Sequence, residues 1–286
     1  MAADAGRIIA IVGLLACGPG APRREGPVRV ERATGAIPFE EPRAEGWDAA
    51  GDREIDLVPQ RTVQPMAAEG SSGRLRVRAL HDGQWVAFRL EWEDRTEDAV
   101  VGTSRFSDAV AIQFPAARGQ QPGPMMGHQG EGGRVQVLYW RAAWQQGDPM
   151  GALHPNRAPW FYPSQAAAEG EPRQRLERLY SPAAEVRNPT LQRFENQPAF
   201  RGEAEGFGTL SPATEPQVRA RGEYAEGHWY VVLAMPIGDA ARSVLAPGQS
   251  TQVAFALWDG SAGHVGARKL WSGSWLPLEV AAGGGT

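Results

Sequence analysis

The stretch Gly73-Arg74-Leu75-Arg76-Val77-Arg78-Ala79-Leu80-His81-Asp82-Gly83-Gln84-Trp85-Val86-Ala87-Phe88-Arg89-Leu90-Glu91-Trp92 decides the fold. Leu75, Val77 and Ala79 alternate with Arg74, Arg76 and Arg78. Successive side chains of an extended chain point to opposite faces, so this is a strand buried on one side. His81-Asp82-Gly83-Gln84 reads as a hairpin turn, with Asp-Gly suited to positive φ. Residues 85–92 then form the return strand.

The same signals continue outward. Residues 107–114 read as a third strand, stopped by Pro115, and residues 134–144 as a fourth. In the fourth, Val135, Val137 and Tyr139 share one face, and Leu138 and Trp140 the other. A second hairpin spans 218–236 and turns at Ala225-Glu226-Gly227-His228. Residues 251–258 and 276–280 complete the set. Helical periodicity is confined to 182–194 and a short stretch at 239–244. Short strands with regular turn signals predict an all-β antiparallel sandwich over residues 73–280, as a single domain. Residues 145–217, rich in Gly, Pro, Gln, Glu and Arg, form a long irregular insertion; excursions of that length are usually functional or interface-forming. Residues 17–72 read as an N-terminal arm or tether and 281–286 as a flexible tail.

At the start of the chain Arg7 precedes an apolar run from Ile8 to Ala16, then Cys17 and Gly18. The run is far short of the roughly 20 residues that span a bilayer and has the size of a signal-peptide core. Residues 1–16 are therefore expected to be a signal peptide. Leu14-Leu15-Ala16-Cys17 also resembles a bacterial lipobox, which would lipidate Cys17 and tether a periplasmic protein to a membrane. Cys17 is the one cysteine, so the chain builds no internal disulfide and no thiolate metal site.

The 286 residues carry 29 Lys+Arg against 33 Asp+Glu, a net charge of −4. An acidic chain without a basic tract is a poor nucleic-acid binder. At 42% hydrophobic and 22% charged, the composition is that of a globular protein. Among the 29 basic residues Lys269 is the one lysine, which leaves 29 − 1 = 28 arginines.

Few motifs carry chemistry. The five histidines, at 81, 128, 154, 228 and 264, form no metal-binding or haem-attachment pattern. There is no Gly-x-Ser-x-Gly and no phosphate loop. The carboxylate pairs Glu91/Glu93 and Asp94/Asp98 read as a solvated strand edge. The lack of a catalytic constellation favours a binding or electron-transfer module over an enzyme. Two local features stand out. Pro124-Met125-Met126-Gly127-His128 puts two thioethers in a Gly/Pro loop, where methionine ordinarily fills core gaps. Gly266-Ala267-Arg268-Lys269-Leu270-Trp271-Ser272-Gly273-Ser274-Trp275 brackets the lone lysine with tryptophans, Trp258 being the third. A lysine there would ordinarily be a surface charge with its stem along an indole. Buried among rings, however, an amine loses its proton readily. A neutral amine has a lone pair for a metal, whereas a guanidinium is never deprotonated.

In this order Ser107-Asp108-Ala109-Val110-Ala111-Ile112-Gln113-Phe114-Pro115, Met125-Met126-Gly127, Val135-Gln136-Val137-Leu138-Tyr139-Trp140-Arg141-Ala142 and Arg268-Lys269-Leu270-Trp271-Ser272 resemble the haem b-binding gamma subunit of type II dimethyl sulfoxide reductase family enzymes. Ethylbenzene dehydrogenase, dimethylsulfide dehydrogenase, selenate reductase and chlorate reductase carry such a subunit. The resemblance covers about residues 73–280. It implies a sandwich related to family 9 carbohydrate-binding modules, holding one non-covalent haem b. It further implies that a methionine of the Met-Gly loop and a lysine near the C-terminus ligate the iron. Here these are Lys269 and Met126, with Met125 the fallback; Trp140, Leu270 and Trp271 are the expected walls. Arg141 and Arg268 are among the arginines available to propionates, and His264 and His128 are the substitute ligands. The implied partners are a molybdenum catalytic subunit, an iron–sulfur subunit and a soluble or membrane cytochrome c. The competing readings are a haem-free sugar- or ligand-binding sandwich lipoprotein and a stabilising lipoprotein that has lost its cofactor.

Overall fold

The computed structural model describes residues 26–101, 104–126, 132–145, 198–213 and 217–283. Cys17, Gly127, His128 and the helical stretch expected at 182–194 lie outside them. Among the described residues thirteen strands follow one another: β1 Val28–Arg32, β2 Arg53–Pro59, β3 Gly73–His81, β4 Trp85–Glu93, β5 Ala109–Pro115, β6 Val135–Arg141, β7 Ala199–Ala204, β8 Ser211–Pro212, β9 Arg219–Ala225, β10 His228–Pro236, β11 Ser250–Trp258, β12 Leu270–Trp271 and β13 Leu276–Val280. A single turn of helix, α1 Ala142–Gln145, caps β6, and a 3-10 helix spans Glu45–Ala49. Among the described residues no helix is long and apolar enough to cross a membrane.

The strands form one sheet folded over on itself in the order β8-β7-β6-β5-β11-β12-β2-β3-β4-β10-β9. One layer is β3, β4, β10 and β9; the other is β11, β5, β6, β7 and β8. Two seams join them. The first runs from β12 to β2, and the second is the β1–β13 pair, which is parallel. Both hairpins are as expected. Asp82 Oδ1 accepts from the N–H groups of Gln84 and Trp85 (2.8 and 2.7 Å), and Gly83 takes φ 91°. Glu226 and Gly227 both take positive φ (54° and 76°), the geometry that matches a two-residue turn to strand twist.

Alternation sorts each strand into two faces. Phe88, Leu90, Val231 and Leu233 from one layer meet Val110, Ile112, Phe114, Leu138 and Phe255 from the other. All are essentially inaccessible to water, and each such side chain contributes about 1.5–3 kcal/mol on burial. At one end of this core Trp140 packs edge-on against Trp229 (centroids 5.0 Å) and Trp92 (6.4 Å). Gly222 permits this, because a Cβ there would sit 2.3 Å from the Trp140 ring.

Both outer faces are also covered. On the β3–β4–β10 layer, Ile37 and Trp47 of the arm seal Leu80, Ala87, Val232 and Ala234. Arg219 clamps Phe39 and Trp85, its guanidinium 4.7 and 4.6 Å from the ring centres. Arg89 Nε donates to Pro42 O across the same contact (2.5 Å). On the other layer the cover consists of loops, and it leaves a cavity.

Several elements differ from expectation. The segment read as an arm supplies β1 and β2, which carry both seams; only Ile55 and Leu57 alternate in β2, too short a pattern to stand out. The segment read as an irregular insertion supplies β7, paired to β6 on one side and to the two-residue edge strand β8 on the other; Arg201, Gly202 and Glu203 interrupt the apolar pattern of β7. Residues 239–244 form turns, closed by the bonds from Arg242 and Ser243 N–H to Asp239 O (both 2.9 Å).

Candidate functional site

The cavity lies on the outer face of β11, β5 and β6. Its floor is made of small side chains, Ala111 from β5 and Ala254 and Ala256 from β11, beside Val137. The same strands present Val110, Ile112, Phe255 and Leu257 to the core. Small and large residues thus alternate by face, and the small face leaves about 520 Å³ above the sheet. Sites that enclose cofactor-sized ligands fall in roughly the 300–1,000 Å³ range. The walls are aromatic. Tyr139 is clamped edge-on by Trp144 and Trp258, at 5.2 Å from each, and Trp271 stands beside them.

Two loops roof the cavity, and both are pinned. Met125 and Met126 come from the loop after β5. Gln113 Nε2 donates to Pro124 O (3.0 Å), Trp275 Nε1 to Pro122 O (2.8 Å) and Gly206 N–H to Met126 O (2.8 Å). Met126 adopts φ 59°, a left-handed conformation that a non-glycine residue rarely takes and that often marks a functional position. Lys269 comes from the loop before β12. There Gln60 N–H donates to Lys269 O (2.9 Å), Gln60 Nε2 to Ala267 O (2.9 Å) and Trp258 Nε1 to Gly266 O (2.9 Å).

Lys269 Nζ lies 5.0 Å from the centre of the Trp258 ring. Among the described residues no carboxylate or hydrogen-bond acceptor pairs with it. Loss of hydration lowers its pKa from 10.5 to about 8. An indole face would favour the ammonium by about 0.5–2 kcal/mol, too little to restore the lost water.

Four further polar groups face this space. Tyr139 is pushed up in pKa by burial. Arg141, two residues along the same face of β6, has a buried Nε with no hydrogen-bond partner. His264 is buried and held below its usual pKa by desolvation. Its Nδ1 faces the Asp259 N–H (3.2 Å) as an acceptor, which leaves the ring proton on Nε2. So held, His264 offers a metal no lone pair at Nε2. Gln60, fully buried, is committed internally, its Oε1 accepting from Thr62 and Val63 N–H and its Nε2 also donating to Val63 O.

The structure therefore brings Met125, Met126, Lys269 and Trp271 into one cavity. Trp140 and Leu270, expected as walls, are not there. Each points into the core from the opposite face of its strand, Trp140 toward Trp229 and Leu270 toward Leu257 and Gly73. Their neighbours one residue away, Tyr139, Lys269 and Trp271, face the cavity instead. Sequence reasoning missed Tyr139, Trp144, Gln60 and the alanine floor. The alternation of Ala109, Ala111 and Gln113 with Val110, Ile112 and Phe114 was the available signal.

A second cluster lies at the end of the core. Side-chain oxygens of Asp94, Asp108 and Asp259 all lie within 4.8 Å of one another. Asp94 is buried, so the solvated edge expected for it is corrected: the chain folds Asp94 under Tyr224, whose hydroxyl donates to its carbonyl (3.0 Å). Asp108 accepts from Asp98 N–H, Trp229 Nε1 and Gly260 N–H, at 2.8–2.9 Å. Burial, with Asp94 adding repulsion, raises Asp108 to about 7; burial and Asp259 raise Asp94 to about 6.

Among solved structures the chain resembles two carbohydrate binding modules of family 9 from Caldicellulosiruptor kristjanssonii. The one in complex with glucose is 6% identical, with 91% of this chain and 98% of that chain covered and a TM-score of 0.43. The one in complex with cellotriose is 8% identical, with coverages of 90% and 95% and a TM-score of 0.41. A Haloferax mediterranei protein assigned as a respiratory nitrate reductase heme subunit is 24% identical over 233 residues, 80% of this chain. The chain spans 64% of that relative's length. Residues 44–269, which contain both cavity loops and every strand of the cavity floor, match the family model described as ethylbenzene dehydrogenase, and the chain belongs to that family.

Proposed function

We propose that the chain is a haem-binding electron-transfer subunit that holds one haem b in the cavity above β5, β6 and β11. The single observation that carries this reading is the meeting of Lys269, the one lysine of the sequence, with Met125 and Met126 in an apolar cavity. The lining fits the group in four respects. The alanine floor lets a flat macrocycle lie close to the sheet. The aromatic walls offer apolar surface to the macrocycle. The amine is held where its neutral form is accessible, and Arg141 supplies a cationic atom with no partner of its own.

When bound, haem iron supplies a one-electron couple. Lys269 would contribute the amine lone pair, and Met126, with Met125 the fallback, would contribute a soft thioether that favours the ferrous state. With both side chains serving as ligands, the haem would be suited to electron relay. Family membership and the heme subunit name of the relative support a place in a reductase assembly, the chain itself being non-catalytic. On this reading it passes electrons between the iron–sulfur subunit of a molybdenum enzyme and a cytochrome c. A periplasmic location and a lipid on Cys17 belong to the same proposal and rest on sequence alone; mass spectrometry of the mature N-terminus tests both.

The sugar-binding reading has less support. The amide of Gln60 and the Nε2 of Gln113 are used inside the protein, leaving few groups for hydroxyls. The deciding experiment is spectroscopic. Full-length protein reconstituted with ferric haem and reduced by dithionite should show a sharp b-type α band. Absence of that band after reconstitution overturns the proposal.

A further inference from the structure

We infer that Arg141 is the anchor for an acidic tail of the cavity's ligand, which on the haem reading is a propionate. The inference rests on that reading and adds to it which of the 28 arginines holds the carboxylate and from which end of the cavity.

Arg141 ends β6, and alternation places it on the same face as Val137 and Tyr139. Among the described residues it is the arginine of the lining. Arg268 is on the neighbouring loop, and its guanidinium donates to Gly263 O (3.3 Å). The Arg141 backbone is fixed on both sides, paired with Ala109 of β5 and donating to Pro198 O (3.3 Å). Its side chain is different. Nε is buried without a hydrogen-bond partner, and no carboxylate among the described residues pairs with the group.

Two other arginines with little exposure have carboxylate or carbonyl partners for the guanidinium. Arg89 has Pro42 O and Glu91, and Arg78 has Asp48 and Asp52. A guanidinium cannot escape an unpaired burial by losing its proton, since it stays charged at any ordinary pH. An anion arriving with the ligand satisfies it, and a planar guanidinium suits a carboxylate through paired N–H donors. Among the described residues the other cationic group of the lining is Lys269, the amine assigned to the metal. A ligand with a flat apolar body and a carboxylate at its edge therefore finds its cationic partner, among the described residues, at Arg141.

The test compares two ligands that differ only at the carboxylates. Full-length apoprotein is titrated with ferric protoporphyrin IX and with its dimethyl ester, following the Soret band, and dissociation is timed against a haem scavenger. Wild type should bind the diacid roughly ten-fold or more tightly than the diester, as expected for one charge-assisted pair. Arg141→Leu should bring the diacid down to the diester level and leave diester affinity and the reduced α-band position unchanged. Arg141→Lys should recover part of the difference. Equal losses for both ligands in Arg141→Leu and Arg141→Lys would mean a structural role, and an unchanged diacid preference would place the carboxylate elsewhere; either overturns the inference while leaving haem binding intact. Failure of wild type to bind either porphyrin overturns the haem reading itself, and this inference with it.

Discussion

Gln60 and Lys269 are joined across 209 positions of sequence: the Gln60 backbone N–H donates to the Lys269 carbonyl at 2.9 Å, and the Gln60 amide holds the same loop at Ala267 O. The residue that fixes the lysine thus comes from the end of β2, in a segment whose sequence reads as a tether. The lysine's direction is set by this bond and by the indole of Trp258. With its carbonyl fixed, Lys269 extends over the ring and into the cavity.

The first prediction concerns the amine. Arginine at 269 keeps length and charge but has no lone pair for a metal at neutral pH. Lys269→Arg should therefore remove the low-spin, six-coordinate spectrum of the haem-loaded protein while far-UV circular dichroism stays unchanged. A retained low-spin spectrum would move ligation to another side chain. His264 is a poor substitute, because its Nδ1 is engaged by the Asp259 N–H.

The two methionines should separate. Met126 is the one at φ 59°, and its carbonyl is tied to Gly206 N–H. Strain of that kind persists where surrounding structure enforces it. Met126→Leu should lower the reduction potential, since loss of the thioether removes preferential support for ferrous iron. Met125→Leu should leave it unchanged. A potentiometric titration reads both, and the opposite pattern would make Met125 the ligand.

How far the site was legible follows from these residues. The alternation of residues 74–79 and 135–140 sorted faces correctly: Val135, Val137 and Tyr139 do lie together, opposite Leu138 and Trp140. What alternation leaves open is which face meets the core and which meets a cavity. In β6 both faces are covered, so Trp140 and Tyr139 were equal candidates until Gly222 and Trp229 are seen to receive the Trp140 ring. Leu270 fails for a related reason. Its strand is two residues long, too short to show a period among glycines and serines. Lys269 was legible because its chemistry is unique in the chain, whereas Gln60 was not, since its role depends wholly on a distant loop.

Gln60→Ala should therefore do two things. It removes four side-chain hydrogen bonds from a buried site, to Thr62, Val63 twice and Ala267. At about 1 kcal/mol net for each, the loss of stability should be about 2–4 kcal/mol, read by urea unfolding. The lysine loop should also loosen, so that the loaded protein exchanges Lys269 for added imidazole faster than wild type. A loss of stability without faster exchange would confine Gln60 to a structural role.

The carboxylate cluster predicts a pH dependence. Asp94 and Asp108 have folded-state pKa values raised to about 6 and about 7, against 3.8 when unfolded. Between about pH 4 and pH 7 the native state therefore binds more protons than the unfolded state. Stability from these groups falls as pH rises through that window and is level above it. His81 and His264 act oppositely: burial lowers both, so their contribution is lost as pH falls below 6.5. Asp94→Asn isolates the first effect. It removes one raised group and the repulsion it exerts on Asp108, so urea midpoints at pH 5, 6, 7 and 8 should decline less with pH than in wild type. An unchanged slope would mean that the cluster is not the source.

The alanine floor gives the last test. Ala111 and Ala256 are buried in the cluster with Val135, Val137 and Trp258, and both also line the cavity. A larger side chain in a packed core costs about 1–3 kcal/mol through displaced neighbours. Here the added atoms enter the cavity, so Ala111→Leu should leave the urea midpoint close to that of wild type. The same atoms occupy the space directly above the sheet, where a flat ligand would lie. Haem uptake should therefore fall sharply in a protein that is still folded. Val110→Ala makes the contrast, since it removes atoms from the opposite, core-facing side of the same strand. It should cost stability by about 1–3 kcal/mol and leave the cavity floor intact. If Ala111→Leu binds haem as well as wild type does, the ligand does not lie on this face of the sheet.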